Sequence, residues 1–339
     1  MDKAVTKSVS HSVSQSVETG QIKTDEQQVD IPDALIDWLE EPCPPGRTMA
    51  DLSPEEDVFQ PVSHEVLVGG ECWADNAAKV FLHNGFCVLK KYGNTPLITP
   101  ALCERCREVS LARLQQLLGD VKQRGLDPKR DRFVFNELCS RTPGGRRYDM
   151  HVPVLLPNIM AAVGAHDDAC WVALHAAIDT LVRPVLEAAH FQLERLDLTN
   201  IGNPPDSTAR VIAVDSAGCV ISLPGAPDQH FHPDGTARGL VNVFVPLLSI
   251  CALLGPTELQ PGSHVWRQST LGPEPRNAAQ PISPLLQRGE LLLFDYRTMH
   301  RGRANMTMQP RPIAYVVYSM RLGIRDSHNF PIDAPLHKV

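Results

Sequence analysis

The hydrophobic and polar positions divide the chain into three textures. Residues 1–30 are polar and repetitive, with SVSHSVSQSV near the start. Such a stretch buries too little apolar surface to offset its ordering entropy, so a disordered tail is expected, largely spanning residues 1–59. Within it, Ile31 to Glu41 has the spacing of a short helix, which Pro42-Cys43-Pro44-Pro45-Gly46 ends. From about residue 60 the pattern turns helical. Asn76 to Asn84 reads as a helix and Gly85 to Lys90 as a strand. Pro100 to Gly119 carries apolar residues at helical spacing, with a proline at its start. Asp168 to Ala189 repeats the pattern, with Asp167 or Asp168 as N-cap and Pro184 placed to kink or interrupt it.

From about residue 209 short β-rich runs alternate with Gly and Pro turns. These runs are Arg210 to Val214, Cys219 to Leu223, Leu240 to Leu247, Glu290 to Tyr296 and Ile313 to Met320. Many short strands without intervening helices predict a sandwich or jelly roll. The fold expected is therefore α+β, a jelly-roll core braced by N-terminal helices. The domain is expected over residues 60–325, followed by a short C-terminal tail at 326–339.

Composition narrows the partners. A net charge of −7 argues against nucleic acid and against anionic membrane surfaces. No apolar run reaches the roughly 18 residues of a membrane span. The nine cysteines are scattered and odd in number, which points to buried thiols in a reducing compartment. The N-terminus has no continuous apolar region of the secretory kind. The chain does not end in Ser-Lys-Leu. A cytoplasmic location is the default expectation.

The most informative segment is Gln229-His230-Phe231-His232-Pro233-Asp234-Gly235. Residues two apart in an extended segment point the same way, so His232 and Asp234 can face one metal ion. His-x-Asp alone proves little. It recurs at His166-Asp167-Asp168, where helix capping accounts for the aspartate. Context decides. His300 lies just beyond the buried-strand run Glu290 to Tyr296, and Arg311 opens the next strand after a polar turn. If those two strands pair antiparallel, His300 and Arg311 share one end of the sheet. Two histidines and a carboxylate leave positions open on the metal, as non-haem iron oxygenases require. The planar fork of Arg311 suits a carboxylate cosubstrate.

Four pieces of this chain together resemble the phytanoyl-CoA dioxygenase family. They are Pro224 to Asp234, Gly255-Pro256-Thr257-Glu258 with Pro261-Gly262-Ser263-His264, His300-Arg301-Gly302, and Arg311-Pro312. Asn84 to Phe86 resembles the family's N-terminal signature more loosely. The likeness covers roughly residues 75–322. It implies a double-stranded β-helix, an iron(II) ion and 2-oxoglutarate as cosubstrate. It carries over His232, Asp234 and His300 as iron ligands and Arg311 as the anchor for the distal carboxylate. Phe244 falls where the family places a large residue near the cosubstrate. Gln229 also matches a family position, where its amide binds cosubstrate or orients a ligand. The implied reaction is dioxygen-dependent oxidation of a small-molecule C–H bond, with succinate and carbon dioxide as coproducts. Gly302 departs from some relatives, which carry a serine there. Asp234 favours oxygen transfer over halogenation, since related halogenases have a small residue in its place.

Other signals are discounted. Cys103-x-x-Cys106 lies in a helical pattern without a second ligand pair. Thr142 to Arg147 lacks the ending of a phosphate loop and reads as a turn, with its arginines and Tyr148, Asp149 and His151 available to substrate. His264 supports a turn. Ser263 lacks a nucleophile-elbow frame, which excludes hydrolysis. Two alternatives stay open. One is a cupin-type enzyme using His230 and His232, which lacks the following glutamate and leaves Arg311 without a task. The other is a non-catalytic relative on the same fold, which has no need of both triad and arginine.

Overall fold

The computed structural model describes residues 59–141, 144–152, 169–197, 212–266, 278–321, 324, 326 and 337–338. The expected tail before residue 59, the short helix at Ile31 to Glu41 and the second His-x-Asp at His166 lie outside the described residues.

In chain order the elements are β1 (Glu65–Val68), α1 (Trp73–Asn84), β2 (Phe86–Lys91) and α2 (Pro100–Gln123). Then come β3 (Phe133–Phe135), β4 (Leu138–Ser140), β5 (Arg147–His151), α3 (Ala169–Asp197), β6 (Ala213–Ser222) and β7 (Leu240–Pro246). The chain finishes with β8 (Thr257–Leu259), β9 (Leu291–Asp295), β10 (His300–Gly302), β11 (Arg311–Ser319) and β12 (His337–Lys338).

Ten strands form one sheet in the order β1-β2-β9-β7-β11-β6-β5-β4-β3-β12. β8 and β10 pair antiparallel in a second layer. Two bridges widen that layer, Leu259 with Ile282 and His232 with His300. From β6 to β11 the chain thus passes repeatedly between the layers, and this is the double-stranded β-helix. Phe86, Val88, Leu259, Leu292 and Phe294 fill the space between them, with Phe244 and Ile282 against their edge. Helices α1 and α2 pack against α3 and touch β9 and β11 respectively.

Local chemistry explains most elements. Thr99 caps α2 by accepting from the Leu102 N–H at 3.4 Å, and Pro100 takes the first position, where a missing N–H costs nothing. Helix α1 ends at Gly85, whose φ of 83° is left-handed. A Cβ there would meet the His264 ring. That ring donates Nε2–H to the Leu82 carbonyl at 3.1 Å, so His264 does support the turn. Cys103 and Cys106 are buried in α2, and burial pushes the Cys103 thiol up to about 11.

Four features differ from the sequence expectations. Pro184 does not interrupt α3. Its cost of roughly 3 kcal/mol is outweighed by burial of Leu174, Ile178, Val182, Val185 and Leu186, each worth about 1.5–3 kcal/mol. From Ala169 to His190 this helix is long and apolar enough to cross a membrane by length and composition, and its Leu174, Ile178, Val182, Val185 and Leu186 are buried against the protein. The runs on either side of Gly218 are joined from Ala213 to Ser222 in one strand, β6, because Gly218 marks a close approach and not a turn. Strands β3 to β5, which the sequence pattern does not announce, add to the sheet edge through β6, and the expected turn at Thr142 to Arg147 lies between β4 and β5. Finally, β9 and β11 are not paired. β7 lies between them, because the chain crosses to the second layer as β10 before returning.

Gly218 yields a direct test. A Cβ there would stand 2.5 Å from both the Met150 carbonyl and the Tyr315 hydroxyl, whereas at Gly119 in α2 it would meet nothing within 4 Å. In urea denaturation, Gly218→Ala is expected to lose about 1–3 kcal/mol and Gly119→Ala to gain about 0.5–1 kcal/mol.

Candidate active site

Three side chains converge where the second layer meets the large sheet. Among the described residues, the group close enough to hold a metal ion is His232, Asp234 and His300, with ligand atoms all within 4.8 Å of one another. His232 and His300 exchange both backbone hydrogen bonds, at 3.0 and 2.9 Å, which sets their side chains on one face. Their ring centroids are 4.7 Å apart. The Asp234 N–H donates to the Tyr296 carbonyl at 3.0 Å and brings the carboxylate beside them.

Both imidazoles are set to ligate through Nε2. His232 Nδ1 lies 2.8 Å from the His230 carbonyl, and His300 Nδ1 lies 2.9 Å from the Thr298 carbonyl. A carbonyl only accepts, so each Nδ1 carries the proton and each Nε2 presents its lone pair. His300 Nε2 stands 3.7 Å from Asp234 Oδ1. Asp234 Oδ2 accepts from the Asn242 amide at 2.7 Å. This donor set fits an iron(II) ion. His230 is exposed and outside the group, so it supplies no histidine pair of the cupin kind.

A second feature adjoins the triad. Register places Arg147 of β5, Ser222 of β6 and Arg311 of β11 side by side on the inward face. The Ser222 hydroxyl oxygen accepts from Arg147 Nε at 2.9 Å and from Arg311 Nη2 at 2.8 Å. Arg147 Nη2 also reaches the Pro227 and Arg303 carbonyls, at 3.1 and 3.0 Å. Both side chains are buried, yet Arg147 Nη1 and Arg311 Nε and Nη1 have no acceptor. Each buried, unpartnered donor costs about 1–3 kcal/mol. Burial, reinforced by the neighbouring Arg147 charge, pushes Arg311 down to about 9. Burial pushes Arg147 down to about 10, against the opposing pull of Asp228. Both remain cationic at neutral pH. Two buried cations with donors to spare have the chemistry to receive a carboxylate.

Gln229 joins the two features. Its N–H donates to the Gly302 carbonyl at 2.9 Å, and its Oε1 accepts from the Gly302 N–H at 3.0 Å. A Cβ on Gly302 would come within 2.8 Å of Gln229 Oε1 and 3.2 Å of Arg147 Cζ. The glycine therefore makes room for the Arg147 guanidinium. Phe244 faces inward on β7, edge-on to Phe294 at 4.9 Å, and Phe294 lies 4.8 Å from His300. Beyond the arginines, the interior wall is Val220, Ala237, Leu240, Phe244, Tyr315 and Val317. Tyr315 donates its hydroxyl to Asp149 at 3.0 Å, and Arg141 pairs with the same carboxylate.

All six residues singled out from sequence lie in or beside this one site. Arg147 was not singled out for the cosubstrate, because nothing local distinguishes it from Arg146. Asn242 was missed too, although a lone amide within the apolar run LVNVFVP is a signal. Burying an amide is costly unless something specific bonds to it.

Residues 145–313 match the family model for Phytanoyl-CoA dioxygenase (PhyH). That stretch contains the triad, Arg147, Ser222 and Arg311. A curated relative, Dioxygenase trt7 of Aspergillus terreus, is 33% identical over 130 residues, covering 32% of this chain and 44% of that protein. The chain thus matches less than half the length of that relative. Among solved structures, the epimerase SnoN in complex with Fe3+, alpha ketoglutarate and nogalamycin RO is similar at 15% identity and a TM-score of 0.49, over 78% of this chain and 91% of that one. EctD from S. alaskensis with bound Fe is similar at 16% identity and a TM-score of 0.45, over 81% and 88%. With the family match spanning every residue of the site, the chain belongs to the phytanoyl-CoA dioxygenase family.

Proposed function

We propose that this chain is an iron(II)- and 2-oxoglutarate-dependent oxygenase acting on a C–H bond of a small-molecule substrate. The observation that carries this reading is the pair of buried, incompletely partnered arginines next to a His-Asp-His metal triad. The triad alone would suit many metal proteins. A dicarboxylate cosubstrate needs one end at a metal and the other at a cation, and this site offers both. A binding scaffold would have no reason to bury two such guanidinium groups.

In this reading His232, Asp234 and His300 hold iron(II). When bound, iron(II) and 2-oxoglutarate supply dioxygen activation, with succinate and carbon dioxide as coproducts. Arg311 and Arg147 bind the distal carboxylate through their spare N–H groups, and Ser222 keeps the two guanidinium groups in register. Gln229 holds β10 in place through Gly302 and so orients His300. Phe244 and Phe294 exclude water from the His300 side of the chamber. The apolar wall from Val220 to Val317 holds the substrate's carbon skeleton near the metal.

Anaerobic titration of the apoprotein with iron(II) and 2-oxoglutarate tests this. A weak visible charge-transfer band is expected in wild type and in His230→Ala. Asp234→Ala should abolish it by losing the metal. Arg311→Ala and Arg147→Ala should each weaken 2-oxoglutarate binding by roughly 10–100-fold, the worth of a charge-assisted hydrogen bond. A protein that binds iron without forming the band with 2-oxoglutarate would sink the proposal.

The arginines also set a pH dependence. A base binds a carboxylate only while protonated, and Arg311 is lowered to about 9. Calorimetric affinity for 2-oxoglutarate is expected to hold through neutral pH and to fall as pH rises through about 9. Arg147→Met removes the neighbouring like charge. It should lower affinity at neutral pH yet move the alkaline fall to higher pH.

A further inference from the structure

We infer that Asn242 is a positioning residue that confines Asp234 to metal binding through one oxygen, an inference that rests on the metal site proposed above. Asn242 is 3% exposed and lies in the middle of β7, in register with Phe294 on one side and Val317 on the other. Its side chain shares the inward face with Leu240 and Phe244. Nothing about that wall calls for an amide. Its side chain bonds to Asp234, with Nδ2 donating to Oδ2 at 2.7 Å.

The geometry divides the carboxylate in two. Oδ2 is engaged by Asn242, while Oδ1 is the oxygen that faces His300 Nε2 at 3.7 Å. A freely rotating carboxylate can offer either oxygen, or both at once. Offering both would take a further position on the metal, and an oxygenase needs its remaining positions for cosubstrate and dioxygen. The chemistry of the donor matters as well. An arginine or lysine would pair with Asp234 and compete with the cation. An aspartate would repel it. An amide donates without a charge and leaves the carboxylate fully anionic toward the metal. The attachment point is rigid, since β7 is hydrogen-bonded on both edges, to β9 and β11. The bond therefore ties the loop bearing Asp234 to the stiffest part of the fold.

The test uses cobalt(II) as a visible probe of the site, followed by absorbance in wild type, Asn242→Asp and Asn242→Leu. Asn242→Asp keeps the shape and removes the donor. Asn242→Leu keeps approximate volume within an apolar strand, so it guards against a variant that simply fails to fold. Both are expected to bind cobalt(II) roughly 10–100-fold more weakly. Both should also change the intensity of the visible bands, which report coordination number. Thermal stability of the metal-free Asn242→Leu protein should be preserved. If wild type binds cobalt(II) and both variants bind it equally well with the same spectrum, the inference is overturned and the function reading stands. If wild type binds no cobalt(II) or iron(II), the function reading falls and takes the inference with it.

Discussion

The pair of backbone hydrogen bonds between His232 and His300 is the constraint on which the site depends. Side chains alternate along a strand, so a slip of one residue would turn one imidazole away from the other. The register is pinned from both sides. Gln229 exchanges two bonds with Gly302 on one side, and the Asp234 N–H reaches the Tyr296 carbonyl on the other. This short ladder of backbone bonds holds the three candidate ligands together.

The arginine pair works against folding. Taking ions out of water costs several kcal/mol each, and two like charges add repulsion. The fold tolerates them because Ser222 accepts from both and because Arg147 also reaches two backbone carbonyls. The remaining donors are left for a ligand. In the proposed reading this stability is given up to hold a carboxylate, and the apolar wall beside the arginines keeps their charge undiluted by water.

Much of the architecture was legible in the sequence because it is local. Helices α1 and α2 announce themselves by spacing and by Thr99 with Pro100. Strands β7, β9 and β11 are mostly apolar because both faces are covered, and they read as buried runs. Strands β3 to β5 were not legible. They are short, and β5 carries Arg147, Asp149 and His151, a composition that resembles a loop. Only attachment to the edge of β6 makes it a strand. Gly218 misled for a related reason, since a glycine that ends a strand and one that admits a neighbouring ring look alike in sequence.

The candidate donors were legible in the sequence. The triad and Arg311 were identified from residue type, alternation and resemblance, because which donors a chain carries and which way they face in an extended segment are local properties. Which groups become neighbours was decided by tertiary structure. β9 and β11 look like partners in sequence, yet β7 separates them. Arg147, seventy-five residues before Ser222, joins Arg311 only through the registers of β5, β6 and β11. Asn242 meets Asp234 only because β7 passes beneath it. Strand pairing is a long-range choice, settled by how all the faces are buried together, and no local window of the chain contains it.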